Sequence, residues 1–305
     1  MSNYFDNKPV FMEPQVNQYS SHMVMTNVSQ ESKTKIVNID TKFRDDYNYD
    51  TACNLADYSM SLPEPINNVC SMTVENIELP LTYYNVSSAL GNNVFKVTNL
   101  SSTAQTIITV PDGEYTLSTL ENIIGSLLGS DISITLTANN TTMNNSSVSD
   151  DYSIEFAVNK DGSFDKHNFK SKLGWMLGFT EVSYTIPSNN GEIVAERISN
   201  LTRPRVLYLH VDDFAQTKQN SFSTMMSRSR NSDNIIAKIM VDRSSNDFRK
   251  IFFANKANGY LLSDKREYSG KTNIKRLQVQ LVDEFDQKIN LNGLDFSFSL
   301  KIEHL

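Results

Sequence analysis

The chain reads as an all-β protein, a β-sandwich with one or two short helices and long loop insertions, on three observations. Short segments in which apolar and polar residues alternate recur from Lys35 to the C-terminus, with the period of half-buried strands. A single stretch carries clear helical spacing. The final segment, "LDFSFSLKIEHL", sets Leu294, Phe296, Phe298, Leu300 and Ile302 against Asp295, Ser297, Ser299, Lys301 and Glu303 on the opposite face. Residues 294 to 303 are therefore expected to form an interior strand that ties the C-terminus into a sheet.

Taken in order, residues 1 to 34 hold Pro9, Pro14 and many Asn and Ser without sustained periodicity, and predict an irregular arm. Its apolar groups, Phe5, Val10, Phe11, Met12 and Met23 to Met25, would need partner surface to offset the entropy of ordering it. From "KIVNID" the strand candidates follow: "YSMSL", "VCSMTVENIEL", "NVFKVTNL" and "TIITV". In "SMTVENIEL" neither alternating set is cleanly polar, which points to a bulge or a buried edge. Next, "YTLSTLENIIGSLLGS" spaces Leu117, Leu120, Ile124, Leu127 and Leu128 as an amphipathic helix, with Ser118 and Glu121 as a capping box and Gly129 as its stop. After "ISITLTA", residues 137 to 151 are nearly free of apolar groups and predict an exposed loop. "YSIEFAV", "RVLYLHV", "NIIAKIMV", "KIFFAN" and "IKRLQVQLVD" continue the β pattern, interrupted by a polar loop at 214 to 234. No composition break divides the chain, so residues 35 to 305 are expected to form one sandwich.

The stretch "KLGWMLGF" holds the only tryptophan among 305 residues. Leu173, Trp175, Met176, Leu177 and Phe179 would bury a large apolar area, and Gly174 and Gly178 would let a short helical turn approach a sheet closely. The cluster is read as structural core, with Trp175 buried and Trp175→Ala costing about 3 to 5 kcal/mol.

Composition narrows the function. A formal charge of −7 with scattered basic residues lacks the footprint of a nucleic-acid binder. Cys53 and Cys70 are too few and too far apart for a disulfide framework or a metal knuckle, and read as buried thiols. The N-terminus lacks a basic start and an apolar core, and no apolar run reaches membrane-spanning length, so neither leader nor anchor is expected. The sequons at Asn85, Asn140 and Asn200 follow from an Asn-rich composition. No hydrolase or phosphate-binding signature occurs. "HVDDF" could offer His210, Asp212 and Asp213 to a cation but reads better as strand-end caps; "NKDGSFD" lacks calcium-loop spacing and reads as a hairpin turn. The tyrosines of "RDDYNYD" and "LTYYN" are the residues a carbohydrate-binding or host-attachment module would use as a stacking platform. No catalytic, cofactor or metal residue is expected.

Several longer phrases resemble one group of proteins. The run from "NIDTKFRDDYNYD" through "SLPEPINNV" to "LPLTYYN", followed by "KLGWMLGF", "RPRVLYLHVDDF" and "LQVQLVDEFDQKINLNGLDFSFSLKIE", is similar in order and spacing to penton-type and minor capsid proteins of the nucleocytoplasmic large DNA viruses. The resemblance spans about residues 36 to 303 and implies a jelly roll, the double-Greek-key sandwich of viral capsids, without enzyme activity. It also implies a place in the virion shell, assembled in the host cytoplasm, either as the vertex pentamer or as a minor protein contacting the major capsid protein and other minor capsid proteins.

Overall fold

A computed structural model of the chain describes residues 31–45, 55–165, 168–220, 222–224, 234–242 and 247–305, together with four two-residue strands nearer the N-terminus. Those four are β1 (Val10–Phe11), β2 (Gln15–Val16), β3 (His22–Met23) and β4 (Thr26–Asn27), pairing as β1 with β4 and β2 with β3. Phe5 and Met12 lie outside the described residues. The body begins with β5 (Lys33–Asp40), β6 (Asp57–Pro80), β7 (Val94–Asn99) and β8 (Gln105–Thr109). Then come α1 (Leu117–Leu128), β9 (Ile132–Leu136), β10 (Thr141–Asn145), β11 (Tyr152–Glu155), α2 (Leu173–Leu177), β12 (Ser183–Ile186) and β13 (Gly191–Val194). The chain closes with β14 (Val206–Asp212), β15 (Lys218–Asn220), β16 (Ile235–Met240), β17 (Ile251–Asn255), β18 (Leu261–Ser263), β19 (Arg266–Asp283) and β20 (Ser297–His304). The fold is all-β, as the alternation predicts, and jelly-roll-like, as the resemblance implies; no described helix is long and apolar enough to cross a membrane.

One sheet, in the order β18-β16-β14-β19-β6-β20-β5 with β15 on β19 and β17 on β6, builds the first core. Residues from both ends of that order, Ile39 and Leu261, belong to the same hydrophobic cluster, so the sheet curls over onto its own inner face. Its two long strands bend. Pro63 and Pro65 of β6 have no N–H to donate, and the ladder with β19 lapses between Ser61 and Ile66. The ambiguous face of "SMTVENIEL" has a physical cause. Against β20, Ser299 pairs with Asn76 but Leu300 pairs with Val74, so one residue bulges at Glu75. The parity switch lets Met72 and Val74 before it and Ile77 and Leu79 after it all face the core. β20 lies between β6 and β5, with Phe298, Leu300 and Ile302 buried and Phe296 buried just before it; Leu294 is exposed, a correction to the predicted inward set. It falls in a turn, where alternation does not apply.

The segment between β6 and β14 builds a second core. A four-stranded sheet, β12-β11-β7-β8, and a three-stranded sheet, β13-β10-β9, enclose it together with α1 and α2. Two expectations change here. The loop at 137 to 151 contains β10, whose Thr141, Met143 and Asn145 are buried between β9 and β13; a polar strand hides there because Asn145 donates to the carbonyls of Asp150, Ile186 and Pro187. The capping box of α1 is Thr116 with Thr119, not Ser118 with Glu121, and Glu121 instead accepts the N–H of Leu136 on β9. Leu120 and Ile124 are buried whereas Leu127 is exposed. Part of the predicted loop at 214 to 234 is β15, which pairs with Tyr268, Glu267 and Arg266 of β19.

Candidate functional site

The tryptophan stretch sits where the two cores meet. A Cβ on Gly174 would lie 2.3 Å from Cγ of Phe156, so only glycine lets α2 press against that ring, itself stacked on Phe179 at 4.8 Å. Gly178 closes the helix at φ 99°, and a side chain there would strike the Arg197 carbonyl at 2.0 Å. Leu173, Met176, Leu177 and Phe179 are buried. On so short a helix the position two residues after Leu173 turns roughly 200° away. Trp175 is accordingly half-buried, a correction to its reading as core. Its ring meets Phe169 edge-on at 5.7 Å and carries the Arg197 guanidinium at 4.2 Å and Lys170 Nζ at 5.5 Å.

Trp175 forms one wall of a cleft of about 310 Å³. Met176 contributes to it from the second core, Arg203, Arg205, Val206 and Tyr208 from the entry into β14, and Glu284 from the turn after β19. Three guanidinium groups therefore face one carboxylate in a chain whose net charge is −7. They are not equivalent. Arg203 donates to the Lys170 carbonyl at 2.7 Å, approaches Glu284 at 3.4 Å and covers the Phe285 ring at 4.7 Å; burial lowers its pKa, and Glu284 opposes that. Arg197 and Arg205 are exposed and pair with no carboxylate among the described residues. Beside the cleft, burial pushes the Asp283 carboxyl up to about 7, although it accepts the N–H groups of Phe285 and Gln287, each at 2.8 Å. Sequence reasoning missed this site. Its one linear trace is three arginines within "RISNLTRPR", and what gathers them with Trp175 is the packing of α2.

The sequence candidates for other chemistry are drawn into structure. His210 is buried and its pKa falls to about 4, chiefly through burial, so it is neutral. Asp212 accepts the Phe214 N–H at 2.9 Å and pairs with Lys218 at 3.1 Å, whereas Asp213 faces away into a buried pair with Arg266. Among the described residues no three His, Cys, Asp or Glu side chains gather in metal-binding geometry. In "NKDGSFD", Asp161 caps Ser163 and Asp165 pairs with Lys172 at 3.2 Å. Tyr83 of "LTYYN" is buried and offers no stacking face, while Tyr47, Tyr49 and Cys53 lie outside the described residues. Cys70 is only half-buried, which corrects its reading as a core thiol. Asn85 is buried and donates to the Tyr115 and Leu201 carbonyls, which closes that sequon to a glycan in the folded chain.

A second surface lies on the outside of the first sheet. In β17, Phe252 and Ala254 face the core, so Ile251 and Phe253 face away; Leu262 of β18 and Met240 of β16 do the same. Phe253 is 46% and Ile251 73% exposed. Among the described strands β17 pairs only with β6; on its other edge the Asn258 side chain donates to the Phe253 carbonyl at 2.8 Å and accepts the Asn255 N–H at 3.0 Å, while no strand pairs there.

Fold and surfaces together define an all-β, jelly-roll-like protein with an apolar outer patch and a basic, aromatic cleft at the junction of two cores. No family model and no curated protein matches the chain. Among solved structures it is similar to the selenomethionine-labelled mavirus penton protein, at 11% identity and TM-score 0.43, over 90% of this chain and 100% of that one. It is also similar to a chain of the Sputnik virophage solved by cryo-EM, at 12% identity and TM-score 0.42, over 90% of this chain and 98% of that one.

Proposed function

We propose that the chain is a structural subunit of an icosahedral virion shell, without catalytic activity, whose body supplies lateral contacts while its N-terminal segment reaches onto neighbours. The observation that carries this reading is the outer face of β16 to β18. Four large apolar side chains, Ile251, Phe253, Leu262 and Met240, are exposed on the outer faces of these strands, beside an edge that no described strand pairs with and that only Asn258 caps. The resemblance of the chain's phrases to penton-type and minor capsid proteins supports the same reading, and with it a vertex pentamer or a facet protein contacting the major capsid protein. Residues 35 to 305, with Lys33 and Thr34 of β5 joined to them, are then the shell-forming body and the residues before them the assembly arm.

The test is the native mass of the purified chain over rising concentration, alongside mass spectrometry of gradient-purified particles. A closed ring of five places the chain at the vertex, and a monomer recovered from particles places it on the facet. Phe253→Asp should reduce association or incorporation while leaving the fold intact, since its side chain lies on the outer face of β17. Absence of the chain from purified particles overturns the proposal.

A further inference from the structure

The cleft between the cores carries its own chemistry, and it holds whether or not the chain builds a shell. We infer that it is a docking site for an acidic peptide segment of another protein chain, one that presents a carboxylate beside an apolar or aromatic side chain. Arg197 Cζ lies 4.2 Å from the centre of the Trp175 ring, and the guanidinium N–H groups donate to no partner among the described residues, which leaves them to donate to a carboxylate in a bidentate pair. Arg205 also lines the cleft, is exposed and is unpaired among the described residues. Trp175, Met176 and Val206 supply the apolar part of the lining. At about 310 Å³ the space admits one or two side chains rather than a folded surface.

The same inventory separates this occupant from others. A nucleic acid needs an extended basic track, and a chain of net charge −7 repels it outside this one cleft. A sugar needs acceptors as well as donors around its hydroxyl groups. Here the side-chain acceptors are Glu284, which faces Arg203, Asn200, whose Oδ1 already accepts from Thr202 at 2.5 Å through the hydroxyl and 3.0 Å through the N–H, and the Tyr208 hydroxyl, which already accepts from Thr224 at 3.3 Å. What remains is cationic donors over apolar walls, the complement of an acidic, apolar peptide.

Trp175 is the only tryptophan in the chain, so occupancy of the cleft reads out directly as intrinsic fluorescence. The full-length chain is titrated with an acetylated hexapeptide alternating aspartate with phenylalanine, with the same peptide carrying asparagine for aspartate, with sialyllactose and with inorganic phosphate. The inference expects a saturable change in emission with the acidic peptide alone. Binding should weaken about tenfold or more in Arg205→Ala. That variant leaves the Trp175 environment alone, whereas Arg197→Ala would alter emission by itself; an unchanged circular dichroism spectrum verifies the fold. No saturable change, an equal response to the asparagine peptide, preference for sialyllactose, displacement by phosphate at equal concentration, or undiminished affinity in Arg205→Ala overturns it. None of these outcomes bears on the mass and particle measurements that test shell assembly.

Discussion

Replacing Arg266 by methionine should be among the most damaging single changes in the first core. Arg266 is 1% exposed, and its guanidinium donates to Asp213 at 3.0 Å, to the Val211 carbonyl at 2.6 Å and to the Asn234 carbonyl at 2.9 Å. The Tyr268 hydroxyl donates to the same Asp213 oxygen; burial first, and the Asp213 charge second, raise its pKa and keep it a donor. Arg266→Met keeps the aliphatic length but strands a buried carboxylate and two carbonyls. Breaking such a pair costs about 3 to 5 kcal/mol. The Ala215 N–H, at 2.9 Å from the other Asp213 oxygen, and Tyr268 still hold Asp213, which favours the lower half of that range. Adding Asp213→Asn removes the orphaned charge, so the double variant should be more stable than the sum of the two single losses by about 1 to 2 kcal/mol. Urea denaturation followed by circular dichroism measures both quantities. A loss under about 1 kcal/mol in Arg266→Met, or strict additivity in the double variant, would show that the pair is not a buried ionic unit.

Three further outcomes follow from the geometry. Gly174→Ala drives a methyl into Phe156, which Phe179 pins from behind, and should cost about 1 to 3 kcal/mol in the same assay; a neutral effect would mean that α2 can lift away. Leu177→Ala should cost about 2 to 5 kcal/mol, while Trp175→Ala, removing a half-exposed ring, should cost distinctly less; equal losses would contradict the placement of Trp175 at the rim. Asp283 holds its proton in the folded chain up to about pH 7, against 3.8 unfolded, so its contribution is fully present below about pH 4 and is lost as pH rises through 7. His210, with its pKa lowered from 6.5 to about 4, works oppositely and loses stability as pH falls through that window. Asp283→Asn keeps the oxygen that Phe285 and Gln287 bond, so its melting temperature should gain on the wild type between about pH 4 and 7 and level off above that; parallel curves would refute the shift.

The sequence by itself determined what depends on neighbours along the chain. Alternation fixed the β class and the burial of Phe298, Leu300 and Ile302, and the spacing of Leu120 and Ile124 fixed α1, because period and face are local properties of the backbone. Even the bulge at Glu75 left a mark, as a strand with no clean face. Tertiary structure alone decided what depends on residues far apart. Met143 and Asn145 belong to a buried strand only because β9 and β13 close on either side, and no local pattern encodes those partners. The division into two cores has no compositional signature, since both are made of the same residue types. Trp175 looked like core because apolar density does not say which side of a five-residue helix meets the sheet; Gly174 against Phe156 decides that. The cleft follows from that choice, for turning Trp175 outward is what brings it to Arg197 and into one cleft with Arg205.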